Sequence, residues 1–180
     1  DKEGVFKIDD SITGFGFRVF SESDGINKII LNNKISTLSD NSLAYSKGLT
    51  EFSTDGKITT IGSGALQGCE NLRTLTITPS VTDIGSNAFR NNPSLELVSY
   101  GPTNFTNPNN VYDFFTNSGS NSGGLKIVIE ERVQVIPYEL FSARNGENYI
   151  TNIEIKSTVL KTIGENAFVG TKIKSINLPK

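Results

Sequence analysis

Apolar residues recur along this chain at a fixed interval. Within the stretch 58–102, Ile61 is answered by Ile84, Ala65 by Ala88, Leu66 by Phe89, Leu72 by Leu95, Leu75 by Val98 and Pro79 by Pro102, each 23 residues on. The series runs back from Leu75 and Ile77 to Phe52 and Thr54, to Ile29 and Leu31, and to Phe6 and Ile8. Forward, with small insertions, it reaches Ile127 and Ile129, Ile153 and Ile155, and Ile176 and Leu178. A second series lies between these marks: Val19-Phe20, Ser42-Leu43, Ala65-Leu66, Ala88-Phe89, Phe114-Phe115, Leu140-Phe141 and Ala167-Phe168. A constant period between about 20 and 50 residues with apolar positions in phase is the signature of a solenoid. The pattern predicts about eight short strands in one parallel sheet, with the marked strand residues turned to a continuous core.

The repeat fills the chain, so a single domain over 1–180 is expected. The first turn carries Phe15 and Phe17 where later copies have Ile-Gly-Ser, which suits an N-terminal cap over 1–22. The glycines after Ile61 and Ile84 are expected to serve a tight turn through backbone angles that other residues resist. Pro79 and Pro102 end their strands by withdrawing an amide donor. The segment 103–124 is stretched by loop-forming insertions rich in Asn, Ser and Gly, and Arg144 to Tyr149 enlarges the next turn.

Side chains alternate along a strand, so inward Leu75 and Ile77 leave Thr74, Thr76 and Thr78 pointing outward. The same phase exposes Leu97, Ser99, Lys126, Val128, Glu130, Asn152 and Glu154, and these ten residues form the candidate binding stripe. Phe105 and Tyr112, in the first insertion, are a rival loop site, since insertions in repeat arrays often serve recognition.

Composition narrows the chemistry. Apolar residues make up 36%, low for a globular core and tolerable for coils that each bury only a few positions. The net charge of −2 gives no basic footprint for nucleic acid. There is no histidine and one cysteine, Cys69, which excludes Ser-His-Asp and Cys-His sites and thiolate zinc sites within the chain. Cys69 reads as a small buried hydrophobe. No phosphate loop or cofactor motif is present, and the pairs Asp9-Asp10 and Glu130-Glu131 read as solvated turn residues. No run approaches the ~20 apolar residues of a membrane span. With Asp1 first and no methionine, the chain looks like a trimmed segment, and any leader, anchor or further repeat would lie outside it. Asn104-Phe105-Thr106 is a glycosylation pattern that matters only in a eukaryotic secreted setting.

The unit at 61–79, Ile-Gly-x-x-Ala-Leu-x-x-Cys-x-x-Leu-x-x-Leu-x-Ile-x-Pro, resembles the leucine-rich repeats of the BspA-like class. Strong copies stand at 58–79, 81–102 and 160–179. Cys69 occupies the family's cysteine site, where the next unit has Asn92. The resemblance implies an α/β leucine-rich repeat fold: a right-handed coil with a parallel sheet on the concave face and short helices or turns on the convex face. It also implies a secreted or cell-surface protein that binds a protein or glycan ligand on a host or neighbouring cell. It carries no enzymatic residue set and no cofactor. The competing expectations are a structural spacer displaying another domain and, further off, a cryptic glycan-active hydrolase. The run Ile173 to Leu178 is expected to be a last strand with an open edge, guarded only by Lys172, Lys174, Pro179 and Lys180, and so open to self-association.

Overall fold

A computed structural model describes residues 3–55, 57–105 and 113–178. Its strands, in order, are β1 (Val5–Lys7), β2 (Lys28–Ile30), β3 (Thr37–Leu38), β4 (Glu51–Ser53), β5 (Thr60–Ile61) and β6 (Thr74–Ile77). They continue as β7 (Asp83–Ile84), β8 (Leu97–Tyr100), β9 (Leu125–Ile129), β10 (Val135–Ile136), β11 (Ile150–Ile155) and β12 (Thr162–Ile163). The longer strands form one face of the coil. β11, β9, β8, β6 and β4 make a five-stranded parallel sheet in that order, and β1 pairs with β2 alongside it. The two-residue strands make a second set of parallel ladders, β3-β5-β7 and β10-β12. Phe52, Leu75, Val98 and Ile127 stand in register across the sheet, as the repeat requires.

The convex side consists of turns, and no helix occurs among the described residues. It has a ladder of its own. The N–H groups of Arg18, Phe20 and Glu22 donate to the carbonyls of Asp40, Ser42 and Ala44. Those of Asn41, Leu43 and Tyr45 donate to Ser63, Ala65 and Gln67, and the pattern recurs to Glu139, Phe141 and Ala143, which donate to Glu165, Ala167 and Val169. The intervening N–H groups close turns within the coil, as Ala44 does on Asn41 and Gln67 on Gly64. Left-handed backbone makes this alternation possible, and it recurs at one turn position: Arg18, Asn41, Gly64, Asn87, Asp113, Glu139 and Asn166 all have positive φ.

The core is a continuous column. Phe89, Phe115, Phe141 and Phe168 stack in succession, with ring centroids 5.1, 5.9 and 5.8 Å apart. Tyr100 meets the edge of Phe141 at 5.8 Å. Ile8, Ile29, Leu31, Phe52, Leu75, Ile77, Val98, Tyr100, Ile127, Ile129 and Ile153 are buried as predicted, and Thr54 is buried in their phase. Thr54 lies 2.7 Å from the hydroxyl of Thr78 and accepts the Thr78 N–H, which satisfies its polarity inside the core.

The structure revises three expectations. Phe6 and Leu178, assigned to the core, are 44% and 56% exposed, because a coil at the end of the stack has a neighbour on one side only. Phe6 instead packs edge-on against Phe20. The run 173–178 forms no ladder with β11; the Lys172 N–H to Ile150 carbonyl bond, just before the run, ties the chain to that strand. Gly62 and Gly85 have no positive φ. They are glycine because a Cβ at Gly85 would lie 2.4 Å from the Ser63 nitrogen and one at Gly62 would lie 2.6 Å from the Asp40 nitrogen. Close approach of backbone between coils, rather than turn geometry, selects them.

Candidate functional site

The outward side chains of the five-stranded sheet form a lattice fixed by parallel register. Thr74, Leu97, Lys126 and Asn152 stand side by side in one row, and Thr76, Ser99, Val128 and Glu154 in the next. Thr74, Asn152 and Glu154 are exposed; Thr76, Thr78, Leu97, Ser99, Lys126 and Glu130 are half-buried. Val128, on the same outward row, is only 6% exposed and so is not offered to a partner as the alternation implied. The centre of the face, over β6 and β8, is therefore neutral: Thr74, Thr76, Thr78, Leu97 and Ser99.

Charges flank that centre and are matched between neighbouring coils. At one end Lys28 meets Glu51 at 2.5 Å. At the other Lys126 meets Glu154 at 2.6 Å, and Lys156 approaches Glu130 at 3.7 Å. Ser99 donates to Glu130 at 2.7 Å. The hydrogen bond from Lys126 holds the Glu154 carboxyl below its ordinary value, and the bond to Glu51 raises the Lys28 ammonium. Such exposed pairs add little stability. Their effect here is to leave the face with little unbalanced charge.

Two clefts open where the sheet ladder stops. One, of about 290 Å³, lies over the unpaired joint between β2 and β4 and is lined by Ile30, Glu51, Ser53, Asp55 and Thr76 among others. The other, of about 610 Å³, separates β11 from the unladdered run and is lined by Lys126, Asn152, Glu154, Lys172, Lys174 and Asn177. Sequence reasoning missed Lys172 and Lys174 as face residues, since their strand was expected to close on β11.

The loop candidate fares differently. Phe105 is buried and meets Phe114 edge-on at 6.1 Å, so it is not offered to a partner. Tyr112 lies outside the described residues. Beside it, Asp113 does something that sequence reasoning did not assign. Burial alone would raise its carboxyl, yet bonds from the Arg144 N–H, the Asn145 side chain, the Thr116 hydroxyl and the Asn145 N–H outweigh that and hold it low. Asp113 thus clasps the second enlarged turn to the first. Its signal was its position in the left-handed series, where Asn or Gly stands in four other coils.

Among the described residues no cluster of His, Cys, Asp or Glu could hold a metal ion, and no helix is long and apolar enough to cross a membrane. Cys69 is fully buried, and burial pushes its thiol up to about 12, only partly offset by backbone contacts with Ser46 and Tyr45.

The sequence profile described as the BspA type leucine-rich repeat region matches residues 4–119 and 99–180, with six copies. The chain belongs to the BspA-type leucine-rich repeat family. Three solved structures are similar to it at low identity. A leucine-rich repeat protein of Bacteroides ovatus is 17% identical with a TM-score of 0.50, over 97% of this chain and 66% of its own. One from Eubacterium ventriosum is 19% identical with a TM-score of 0.48, over 93% and 51%. A leucine rich cell surface protein of Faecalibacterium prausnitzii is 15% identical with a TM-score of 0.37, over 84% and 59%. The chain spans about two thirds or less of each of these. No curated protein matches it. BspA-type repeats thus account for the sheet and the turns.

Proposed function

We propose that this chain is a binding module of a secreted or cell-surface protein, and that its concave face takes a protein partner. The observation that carries the reading is the lattice on β6, β8, β9 and β11. It is a rigid, continuous sheet surface whose ions neutralise one another and whose centre is Thr74, Thr76, Leu97 and Ser99. A face of this kind suits a neutral, β-rich or extended polypeptide surface. The face presents no aromatic side chain on which a sugar ring could stack, which ranks a glycan ligand second. Surface localisation rests on the family and on a coat rich in Ser, Thr and Asn. A glycan-active hydrolase is the more distant reading: a glycosidase acid needs a raised carboxyl, and the Lys126 hydrogen bond holds that of Glu154 low.

Arrays of purified extracellular proteins and of glycans, probed in parallel, test the reading. Thr76→Arg blocks the centre of the face, and Ser86→Arg adds the same charge on the convex turn. Binding to a protein that Thr76→Arg abolishes and Ser86→Arg spares is the expected result. Binding confined to glycans would replace the partner class, and loss with both variants or silence on both arrays would favour a spacer.

A further inference from the structure

Two adjacent residues of the second enlarged turn are each fixed by a different neighbour, and together they make a reactive pair. Asn145 belongs to the Asp113 clasp. Its Nδ2 donates to Oδ2 of Asp113 at 2.7 Å and its N–H to Oδ1 at 3.3 Å, while its carbonyl accepts from Nη2 of Arg90 at 2.9 Å. Gly146 leaves no room for a side chain, since a Cβ there would lie 2.5 Å from the Thr116 methyl and 2.8 Å from Oδ1 of Asn117. The fold thus selects each member of the chain's one Asn-Gly pair; every other asparagine is followed by a residue that carries a side chain.

In an Asn-Gly pair the asparagine side chain is least hindered from attack by the next backbone nitrogen, because glycine has no Cβ to screen it. The other conditions for that attack are met. Both residues are exposed, so water reaches them, and the Gly146 N–H has no hydrogen-bond partner among the described residues. What stands in the way is Asp113. Its carboxylate holds the carboxamide on the side of the Asn145 N–H, away from Gly146. By accepting from Nδ2 it also pushes electron density into the amide, which makes Cγ a poorer electrophile.

We propose that Asn145 is a deamidation site gated by Asp113. While the clasp is shut, the carboxamide stays on Asp113. When it opens, the Gly146 nitrogen loses its proton to solvent and attacks Cγ of Asn145. The Cγ–Nδ2 bond breaks, the nitrogen leaves as ammonia with a proton from solvent, and a succinimide ring closes. Water then opens the ring at either carbonyl, leaving aspartate or isoaspartate at position 145. The product does not restore the clasp, because the Nδ2 donor is gone and a second carboxylate faces Asp113. The two enlarged turns are therefore joined by a latch that releases only once. This inference is independent of what the concave face binds.

Peptide mapping by mass spectrometry, with isoaspartate scored at each position, tests it on the full chain kept for weeks in mildly alkaline buffer. Modification is expected at position 145, more slowly in the native chain than in urea. Asp113→Ala should speed it about tenfold or more in native buffer, as the loss of a hydrogen bond to a charged group would. Asn145→Gln, whose longer side chain closes the ring poorly, should suppress it. Should Asp113→Ala fail to fold, Asp113→Asn, which keeps the shape and removes one acceptor, carries the same expectation. A second arm reads the released latch. Asn145→Asp should lower the urea midpoint, and adding Asp113→Asn should recover part of the loss by setting a carboxamide opposite the new carboxylate. A native chain modified as fast as the unfolded one, Asp113 variants modified no faster than wild type, or Asn145→Asp melting with wild type would each overturn the proposal.

Discussion

The backbone N–H of Cys69 donates to the Oδ1 of Asn92, one coil on, at 2.8 Å. The two residues hold the same position in successive repeats, and the position is a hydrogen-bond slot. The Cys69 thiol donates to the Leu43 carbonyl, the Ser46 hydroxyl to Phe20 and the Ser118 hydroxyl to Phe89, each reaching one coil back. Asn92 serves two coils, because its Nδ2 also donates to the Phe89 carbonyl. Cysteine, serine and asparagine interchange here because each is small and donates.

Asn92→Ala should therefore cost more than Cys69→Ser. The first orphans the Cys69 N–H and weakens the bonding of the Phe89 carbonyl, for about 2–4 kcal/mol. The second keeps a donor and should stay within about 1 kcal/mol. Urea melts of the two variants check the order. The native thiol, with its titration raised to about 12, should react with a disulfide reagent at neutral pH only once the chain is unfolded.

The phenylalanine column sets a second expectation. Phe141 touches Phe115, Phe168 and Tyr100, so Phe141→Ala should cost about 3–5 kcal/mol. Thr76→Ala, on the outward face, should lie within about 0.5 kcal/mol of wild type. The Tyr100 hydroxyl is buried with no hydrogen-bond partner, and burial raises its titration. Tyr100→Phe should accordingly stabilise the chain, by about 1 kcal/mol. Similar midpoints for all three would contradict the assigned packing.

Glycine at the coil approach gives a third. Gly85→Ala pushes a methyl into the Ser63 backbone and should cost about 1–3 kcal/mol or more. Gly16→Ala meets nothing within 4 Å and has no positive φ, so it should be neutral or stabilise by up to about 1 kcal/mol. Thermal melts of the pair separate close approach from backbone freedom.

The Asp113 clasp makes stability depend on acidity. Its folded carboxyl titrates below the unfolded value of about 3.9, so the folded state binds fewer protons than the unfolded chain. The contribution is complete above that unfolded value and disappears as pH falls through the folded one. Wild type should exceed Asp113→Ala in urea stability at neutral pH, and the gap should narrow only in strong acid. A gap that instead widens on acidification would reverse the assigned direction.

The period was legible because each coil commits the same few positions to the core: Leu75 and Ile77 on the sheet, Ala65 and Leu66 on the turn. A side chain that fills a column leaves the same mark every time. The convex ladder left a fainter mark: Asn41, Gly64, Asn87, Asp113 and Asn166 suit left-handed backbone, but Arg18 and Glu139 hold the same position and break the series. Phe105 was misread because an insertion's length does not say whether its aromatic turns outward or back to Phe114. The run 173–178 has the apolar phase of a strand, but phase alone does not form a ladder. The outward lattice followed directly from alternation, while its charge balance did not, because matching Lys126 to Glu154 needs coil spacing as well as phase.

The one-way convex ladder has an electrical consequence. Its peptide units all point along the coil axis in one sense, so their dipoles add as they do in an α-helix. The N–H end, at Asn166, Phe168 and Gly170, is the positive pole, and the carbonyl end, at Phe17, Val19 and Ser21, the negative. An α-helix places acids at its positive pole, but this stack places Lys161, Lys172 and Lys174 there. The side chains at that end thus add to the polarity of the convex ladder rather than relieve it, and the opposing share comes from the other sides of each coil, where the Gly62, Arg73 and Gly85 N–H groups donate to the coil before.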